Sequence, residues 1–255
     1  NLDLSTFDTH NVKNFGYMFY NLKAGETPDL STFDTSSATN MRYMFYGLTP
    51  SGKLDLSTFD TSKVTNMSYM FAYFTAHNDL DISHFDTSNV TNMSRMFTSI
   101  SGMDVLDLRN FDTAKVTDMS YMFSNSKPSQ IIVSSFDTGK TTTMQSMFWN
   151  CNNIKKLDLS NFNTDVLTSM YNMFNGCINL EELNIAKFNT IRGGSLLTHT
   201  YCFGSTPKLS TITIGDESRF RESYPSAPST LPYDGTWVNA QDSTQVFASD
   251  PLFTS

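Results

Sequence analysis

The sequence is poor in charge. Lys, Arg, Asp and Glu make up 16% of its 255 residues, against about 25% in an ordinary soluble domain. Polarity must therefore come from Ser, Thr and Asn. The charges are also lopsided: 17 Lys+Arg face 25 Asp+Glu, for a formal net charge of −8. No basic cluster occurs. That argues against nucleic acid as a partner, because binding its backbone depends on Lys and Arg displacing counterions. Long apolar runs are missing as well, so no segment approaches the roughly 20 apolar residues of a spanning helix, and membrane insertion is not expected. The first residues lack the charged, apolar and small regions of a signal peptide. Three cysteines are too few for a disulfide framework. No Gly-x-Ser-x-Gly, Walker loop or Gly-x-Gly-x-x-Gly is present, so no cofactor is implied.

What the chain has in excess is 21 Phe, 14 Met and 11 Tyr. Phe recurs at Phe7, Phe33, Phe59, Phe85, Phe111, Phe136, Phe162 and Phe188, at intervals of 26 with a single 25. Self-similarity at such a period indicates a solenoid, propeller or array. The unit from Leu54 reads LDLSTFDTSKVTNMSYMFAYFTAHND. Its opening alternates, Leu54 and Leu56 against Asp55 and Ser57, which predicts a short strand with one buried side. Val64, Met67 and Phe71 are then spaced three and four apart, which predicts a short helix over about Thr65–Phe71. Thr61 or Thr65 is the candidate helix cap.

No single unit can bury its own Leu, Met and Phe, so stability is expected from stacking neighbours. The inward strand column comprises Leu4, Leu30, Leu56, Ile82, Leu108, Val133, Leu159 and Ile185. A second column comprises Met18, Met44, Met70, Met96, Met122, Met147 and Met173, each followed by Phe. The Met–Phe pairs read as core packing, since Met fills gaps beside aromatics.

The strand frame is clearest at Ile154-Lys-Lys-Leu157-Asp-Leu159 and Leu180-Glu-Glu-Leu183-Asn-Ile185, the L-x-x-L-x-L half of a leucine-rich repeat. The Asn/Cys-x-Leu that usually follows is absent, and Phe162 and Phe188 take the inward position. The run Leu-Asp-Leu-Ser-x-Phe-Asp-Thr-Ser-x-Val-Thr-Asn-Met-Ser-x-Met-Phe resembles the 26-residue repeats of BspA-type leucine-rich-repeat surface proteins of lactobacilli, other Firmicutes and mycoplasmas. The match runs from residue 1 to about 215. The resemblance implies an α/β leucine-rich-repeat solenoid, with a parallel sheet on one face and short helices on the other, in an extracellular, cell-wall or cell-surface adhesin. It brings no catalytic residues.

Leu2-Asp3-Leu4-Ser5 is already in frame with no polar cap before it, which predicts a cap or further repeats upstream. One residue is lost near Lys127-Pro128-Ser129, and three are gained near Arg192-Gly193-Gly194. A ninth strand is expected at Leu209–Gly215. The repeat then stops, and residues 216–255 are either a C-terminal cap or a linker to another module. No sorting signal is visible, so any anchor would lie past Ser255.

His10, His77, His84 and His199 fall in different repeat phases, and a zinc site needs three or four converging ligands; no metal is expected. Cys151 and Cys177 share a phase, which leaves a disulfide open beside the default of free buried thiols. Asn66-Met-Ser and Asn92-Met-Ser look like glycosylation sequons but read as repeat residues.

Two Asp columns remain. Asp8, Asp34, Asp60, Asp86, Asp112 and Asp137 follow each Phe and read as turn caps. The Thr residues after them, from Thr9 and Thr35 to Thr190, read as caps too. Asp3, Asp29, Asp55, Asp81, Asp107 and Asp158 lie between inward strand residues and point outward, with Ile132 interrupting the row. These six are the candidate binding residues. Strands about 4.8 Å apart would set like charges side by side, which predicts raised pKa values and stronger adhesion to polyanions near pH 4–5. Tyr43, Tyr69 and Tyr121 are candidate aromatic contacts. The expected function is adhesion to host mucin, or to an epithelial or extracellular-matrix glycoprotein or polysaccharide. The alternatives are a polysaccharide-acting parallel β-helix enzyme with Asp pairs as acid and base, and a structural stalk.

Overall fold

The structure is a computed structural model, and it describes residues 4, 6–22, 25, 27–78, 80–192, 195–196, 201–215, 236–239 and 246–247. Successive repeats lie side by side as rungs. Their in-register contact is a line of parallel bridges, Asn14 to Asn40, Asn66, Asn92, Asp118, Thr143 and Ser169. A second parallel line is formed by the strands. β1 (Val105–Asp107) pairs with β2 (Gln130–Ile132), and β3 (Lys156–Asp158) pairs with β4 (Glu182–Ile185) and then β7 (Thr211–Ile214). The insertion near residue 192 carries a two-strand antiparallel ladder, β5 (Ile191–Arg192) and β6 (Ser195–Leu196). Within 216–255, β8 (Thr236–Asn239) adds a parallel strand beside β7, and β9 (Val246–Phe247) folds back antiparallel to it.

The core lies between the two lines. Every residue of the inward column from Leu4 to Ile185 is buried, as are the Met–Phe pairs from Met44 to Phe174. One Phe per rung forms a single stack: Phe19, Phe45, Phe71, Phe97, Phe123, Phe148, Phe174 and Phe203, with ring centroids 5.3–6.0 Å apart. Each buried ring contributes roughly 1.5–3 kcal/mol. Phe7, in the first rung of this sequence, is 53% exposed, unlike its equivalents.

The expected helices are not present: no helix occurs among the described residues. The hydrogen-bond accounting explains why. Met67, Tyr69, Phe71 and Tyr73 donate their N–H groups to carbonyls of the next rung, at Asn92, Ser94, Met96 and Thr98, over 2.7–3.0 Å. Met70, Ala72 and Phe74 donate to carbonyls three residues back, over 3.1–3.3 Å. The remaining donor, Ser68 N–H, is taken by Asn66 Oδ1 at 2.9 Å. Every N–H from Met67 to Phe74 is thereby used. A helix of this length would leave its first four N–H and last four C=O groups without partners. The three-four spacing of apolar residues comes instead from successive tight turns, with φ of 59° at Tyr69 and 58° at Tyr73. A positive φ at the third residue of an i→i+3 turn, but not the second, is the type II geometry.

The strand expectation also needs correction in the early repeats. Leu54 and Leu56 are buried and Asp55 is exposed, as the alternation predicts, but residues 54–56 form no strand. The Leu56 carbonyl instead faces His84 Nε2 at 2.9 Å, and the Ile82 carbonyl accepts from Asn110 Nδ2 at 3.0 Å. The same side-chain bridges recur in later rungs, from Ser135 Oγ to the Leu108 carbonyl and from Asn161 Nδ2 to the Val133 carbonyl, so what the early rungs lack is the backbone ladder. Thr61 and Thr65 cap rungs, not helices: their hydroxyls donate to the carbonyls of Asp86 and Thr39.

Candidate functional site

The strand face carries the candidate Asp row. Asp29, Asp55, Asp81, Asp107 and Asp158 are all exposed, while Asp3 lies outside the described residues. Each of the five has a local structural task. Oδ1 accepts the backbone N–H two residues on, from Ser31, Ser57, Ser83, Arg109 and Ser160, at 3.0–3.1 Å. This is the Asx turn, in which a short carboxylate replaces a backbone acceptor. The same device recurs twice more per rung. In the Asp34–Asp137 column the carboxylates hold the N–H of Ser36, Ser62, Ser88, Ala114 and Gly139. In the bridge line, Asn40, Asn66 and Asn92 hold Arg42, Ser68 and Ser94. The Asn66 and Asn92 sequons therefore belong to the rung framework.

These bonds reverse the expected titration. Asp29 and Asp55 have lowered pKa values, chiefly from the backbone N–H donors at Ser31 and Ser57. Asp81 is lowered by side-chain and backbone bonds from Ser83. Asp107 is lowered by the guanidinium of Arg109, whose Nη2 sits 2.6 Å from Oδ2. Repulsion from Asp55 acts on Asp29 but is the smallest cause there. Hydrogen bonds to the charged form outweigh like-charge repulsion in water-exposed positions. Asp29, Asp55, Asp81 and Asp107 do not resist ionisation, and the premise of adhesion switched on near pH 4–5 falls with them.

Two open grooves follow the strand face. One, of about 530 Å³, is lined by residues including Asp81, Ser83, Asp107, Arg109 and Asn110. The other, of about 500 Å³, includes Ser134, Lys156, Asp158, Glu182, Asn184 and Thr213. Lys156 and Glu182 pair across it at 2.6 Å.

The turn face is different in kind. Tyr17, Tyr43 and Tyr69 stack in sequence at 4.6 and 4.2 Å. Tyr20 and Tyr46 form a second column at 4.7 Å, with Tyr73 against Tyr46 at 5.1 Å. Arg95 takes the next place in the first column, 5.4 Å from the Tyr69 ring and 3.8 Å from that of Tyr121. Arg42 lies 4.8 Å from Tyr43 and 5.9 Å from Tyr69. Tyr17, Tyr20 and Tyr73 are exposed by 52%, 42% and 51%. The candidate contacts Tyr43, Tyr69 and Tyr121 thus belong to one aromatic and cationic strip. Reading the residue spacing as helical hid that strip's extent, and the departure of Arg95 from the Tyr column was its sequence signal.

The described histidines, His10, His77 and His84, do not converge. His10 pairs with Asp8, which raises the His10 pKa chiefly through their side-chain hydrogen bond. His84 faces a carbonyl, and His199 lies outside the described residues. Among the described residues no three His, Cys, Asp or Glu are placed to hold a metal. Cys151, Cys177 and Cys202 are free and buried. Cys151 and Cys177 donate to the carbonyls of Phe123 and Phe148 at 3.0 Å. The Cys177 thiol is pushed well up by its bond with Cys151 and then by burial; burial raises Cys202. Such thiols are unreactive.

Comparison with known families gives one match. The family described as Mycoplasma protein of unknown function, DUF285, covers residues 1–51, 49–154 and 127–198. The chain belongs to this family. No curated protein and no solved structure matches the chain. The three overlapping DUF285 segments together span residues 1–198, the stretch that forms most of the rung stack. Among the described residues of this DUF285 protein, no helix is long and apolar enough to cross a membrane.

Proposed function

We propose that this chain is the binding part of a bacterial cell-surface adhesin, a solenoid of BspA-like repeats that holds glycans or glycoproteins along an extended face. The observation that carries this reading is the strand face. Exposed Asp81, Asp107 and Asp158 line two open grooves beside Ser, Thr and Asn side chains over an apolar floor. Asp81 and Asp158 secure their turns through Oδ1 and leave Oδ2 for a ligand hydroxyl, whereas Arg109 engages both oxygens of Asp107 and presents its own N–H donors beside them. Acceptors and donors alternating along a groove suit the hydroxyls of a neutral or weakly charged polysaccharide. Ionised carboxylates repel a polyanion, so this face is assigned to hydroxyl-rich chains.

The enzyme alternative requires a general acid with a raised pKa. Every Asp with a resolved shift is lowered, which favours binding over hydrolysis. The test is a glycan and mucin array probed with the wild-type chain and with Asp81→Asn/Asp107→Asn. Binding to neutral glycans that falls at least tenfold in the variant supports the reading. Absence of glycan or mucin binding in the wild type overturns it and leaves the stalk.

A further inference from the structure

The tyrosines of the turn face occupy costly positions. The first left-handed position of each rung holds Tyr17, Tyr43, Tyr69, Arg95, Tyr121, Ser146, Asn172 and Tyr201, with φ between 54° and 63°. A bulky side chain there is strained relative to glycine, because its Cβ crowds the following carbonyl oxygen. Asn172 shows that the same turn accepts a residue that tolerates this conformation, and Gly47 and Gly176 fill the equivalent second position. The rungs could therefore turn without tyrosine. Strain retained where a cheaper residue serves the fold is a pointer to function.

The electrostatics of this face point the same way. In a chain of net charge −8, the turn segments 15–22, 41–48, 67–74, 93–100 and 119–126 contain no Asp or Glu. Their only charges are Arg42 and Arg95, both held over tyrosine rings. Guanidinium groups so placed keep their outward N–H donors for an anion. Tyrosine hydroxyls add donors at rung spacing along the strip. The ring faces are largely closed against one another, at 4.2–4.7 Å within the two columns. That leaves edges and hydroxyls outward. Protein hot spots centre on anchors buried in pockets, and a closed row of rings offers no such slot. The face fits an extended polymer with hydroxyls and regularly spaced anionic groups.

We propose that the Tyr/Arg strip formed by Tyr17, Tyr43, Tyr69, Arg42, Arg95 and Tyr121 is a binding site for sulfated or carboxylated polysaccharide. This rests on the adhesin reading but assigns polyanions to the face opposite in character to the Asp row. The experiment measures the full chain against heparin, neutral dextran and poly-glutamate across 50–500 mM salt. The variants are Arg42→Gln/Arg95→Gln, Tyr43→Asn/Tyr69→Asn and Asp81→Asn/Asp107→Asn. The Tyr→Asn pair relieves left-handed strain, so a retained melting temperature shows that any loss of binding is not unfolding.

The expected result is salt-sensitive heparin binding, reduced at least tenfold by the Arg pair and by the Tyr pair, and undiminished by the Asp pair. Heparin binding unaffected by the Arg and Tyr variants overturns the assignment. Poly-glutamate bound as tightly as heparin also overturns it, in favour of an acidic protein partner. If neutral glycans bind and heparin does not, the strip proposal fails and the adhesin reading stands. If nothing binds, both fail.

Discussion

Replacing Phe97 with Ala tests the rung stack at its centre. Phe97 is fully buried. It lies between Phe71 at 5.9 Å and Phe123 at 6.0 Å, nearly parallel to both, with Phe111 tilted against it at 6.3 Å. Truncating a buried Phe costs about 3–5 kcal/mol through lost transfer energy and the cavity left behind. Two stacked partners lose a further ~0.5–1.5 kcal/mol each beyond area burial, which places Phe97→Ala at or above the upper end of that range. The loss should not spread evenly. Each rung touches only its neighbours, so the array weakens at that interface first. Hydrogen exchange should quicken at the Phe71, Phe97 and Phe123 amides, which donate to the next rung at 2.9 Å, before it changes near Phe174. Phe7→Ala serves as the control: at 53% exposure it should change stability by less than about 0.5 kcal/mol. Equal destabilisation by the two variants, or uniform loss of protection along the chain, would refute the stacked-rung account.

Acid should destabilise the fold. Asp29, Asp34, Asp55, Asp81, Asp86 and Asp107 all have folded pKa values below their ordinary value. Their contribution is present above the unfolded pKa of about 3.9 and is lost as pH falls through the depressed folded values. The melting temperature should hold from pH 7 to 5 and drop below about pH 4; a constant or rising value down to pH 2.5 would contradict the Asx-turn assignment. Thr35→Val should cost about 1–3 kcal/mol, because buried Thr35 Oγ1 both accepts the Asp60 N–H at 2.8 Å and donates to its carbonyl at 3.0 Å. Chemical denaturation should show Thr39→Val as the milder change, since exposed Thr39 makes one bond at 3.2 Å; the reverse order would mean the inner Thr column does not clamp the rungs.

Much of this molecule was legible in the residues alone. The 26-residue period, the inward columns from Leu4 to Ile185 and the Met–Phe core follow from which side chains must leave water, and burial depends on pattern. The strands β3, β4 and β7 lie where the L-x-x-L-x-L frame is clearest, and the Asp34–Asp137 column caps turns as its position after each Phe suggested. The polar backbone was not legible in the same way. Spacings of three and four at Val64, Met67 and Phe71 fit a helix and a run of tight turns equally well, because both return apolar residues to one side. The choice depends on where each N–H finds an acceptor, and the acceptors for Met67, Tyr69, Phe71 and Tyr73 are carbonyls 25 residues away in the next rung. The same holds for the Asp row. Side by side on paper, the carboxylates repel, but only the folded turn brings the Ser31, Ser57 and Ser83 N–H groups to within 3.1 Å and keeps the charge in place. It also decided that Tyr17, Tyr43 and Tyr69 stack on one another along the turn face. Apolar burial is written locally and repeats with the sequence, whereas hydrogen-bond satisfaction and charge are settled by neighbours that only the stacked rungs supply.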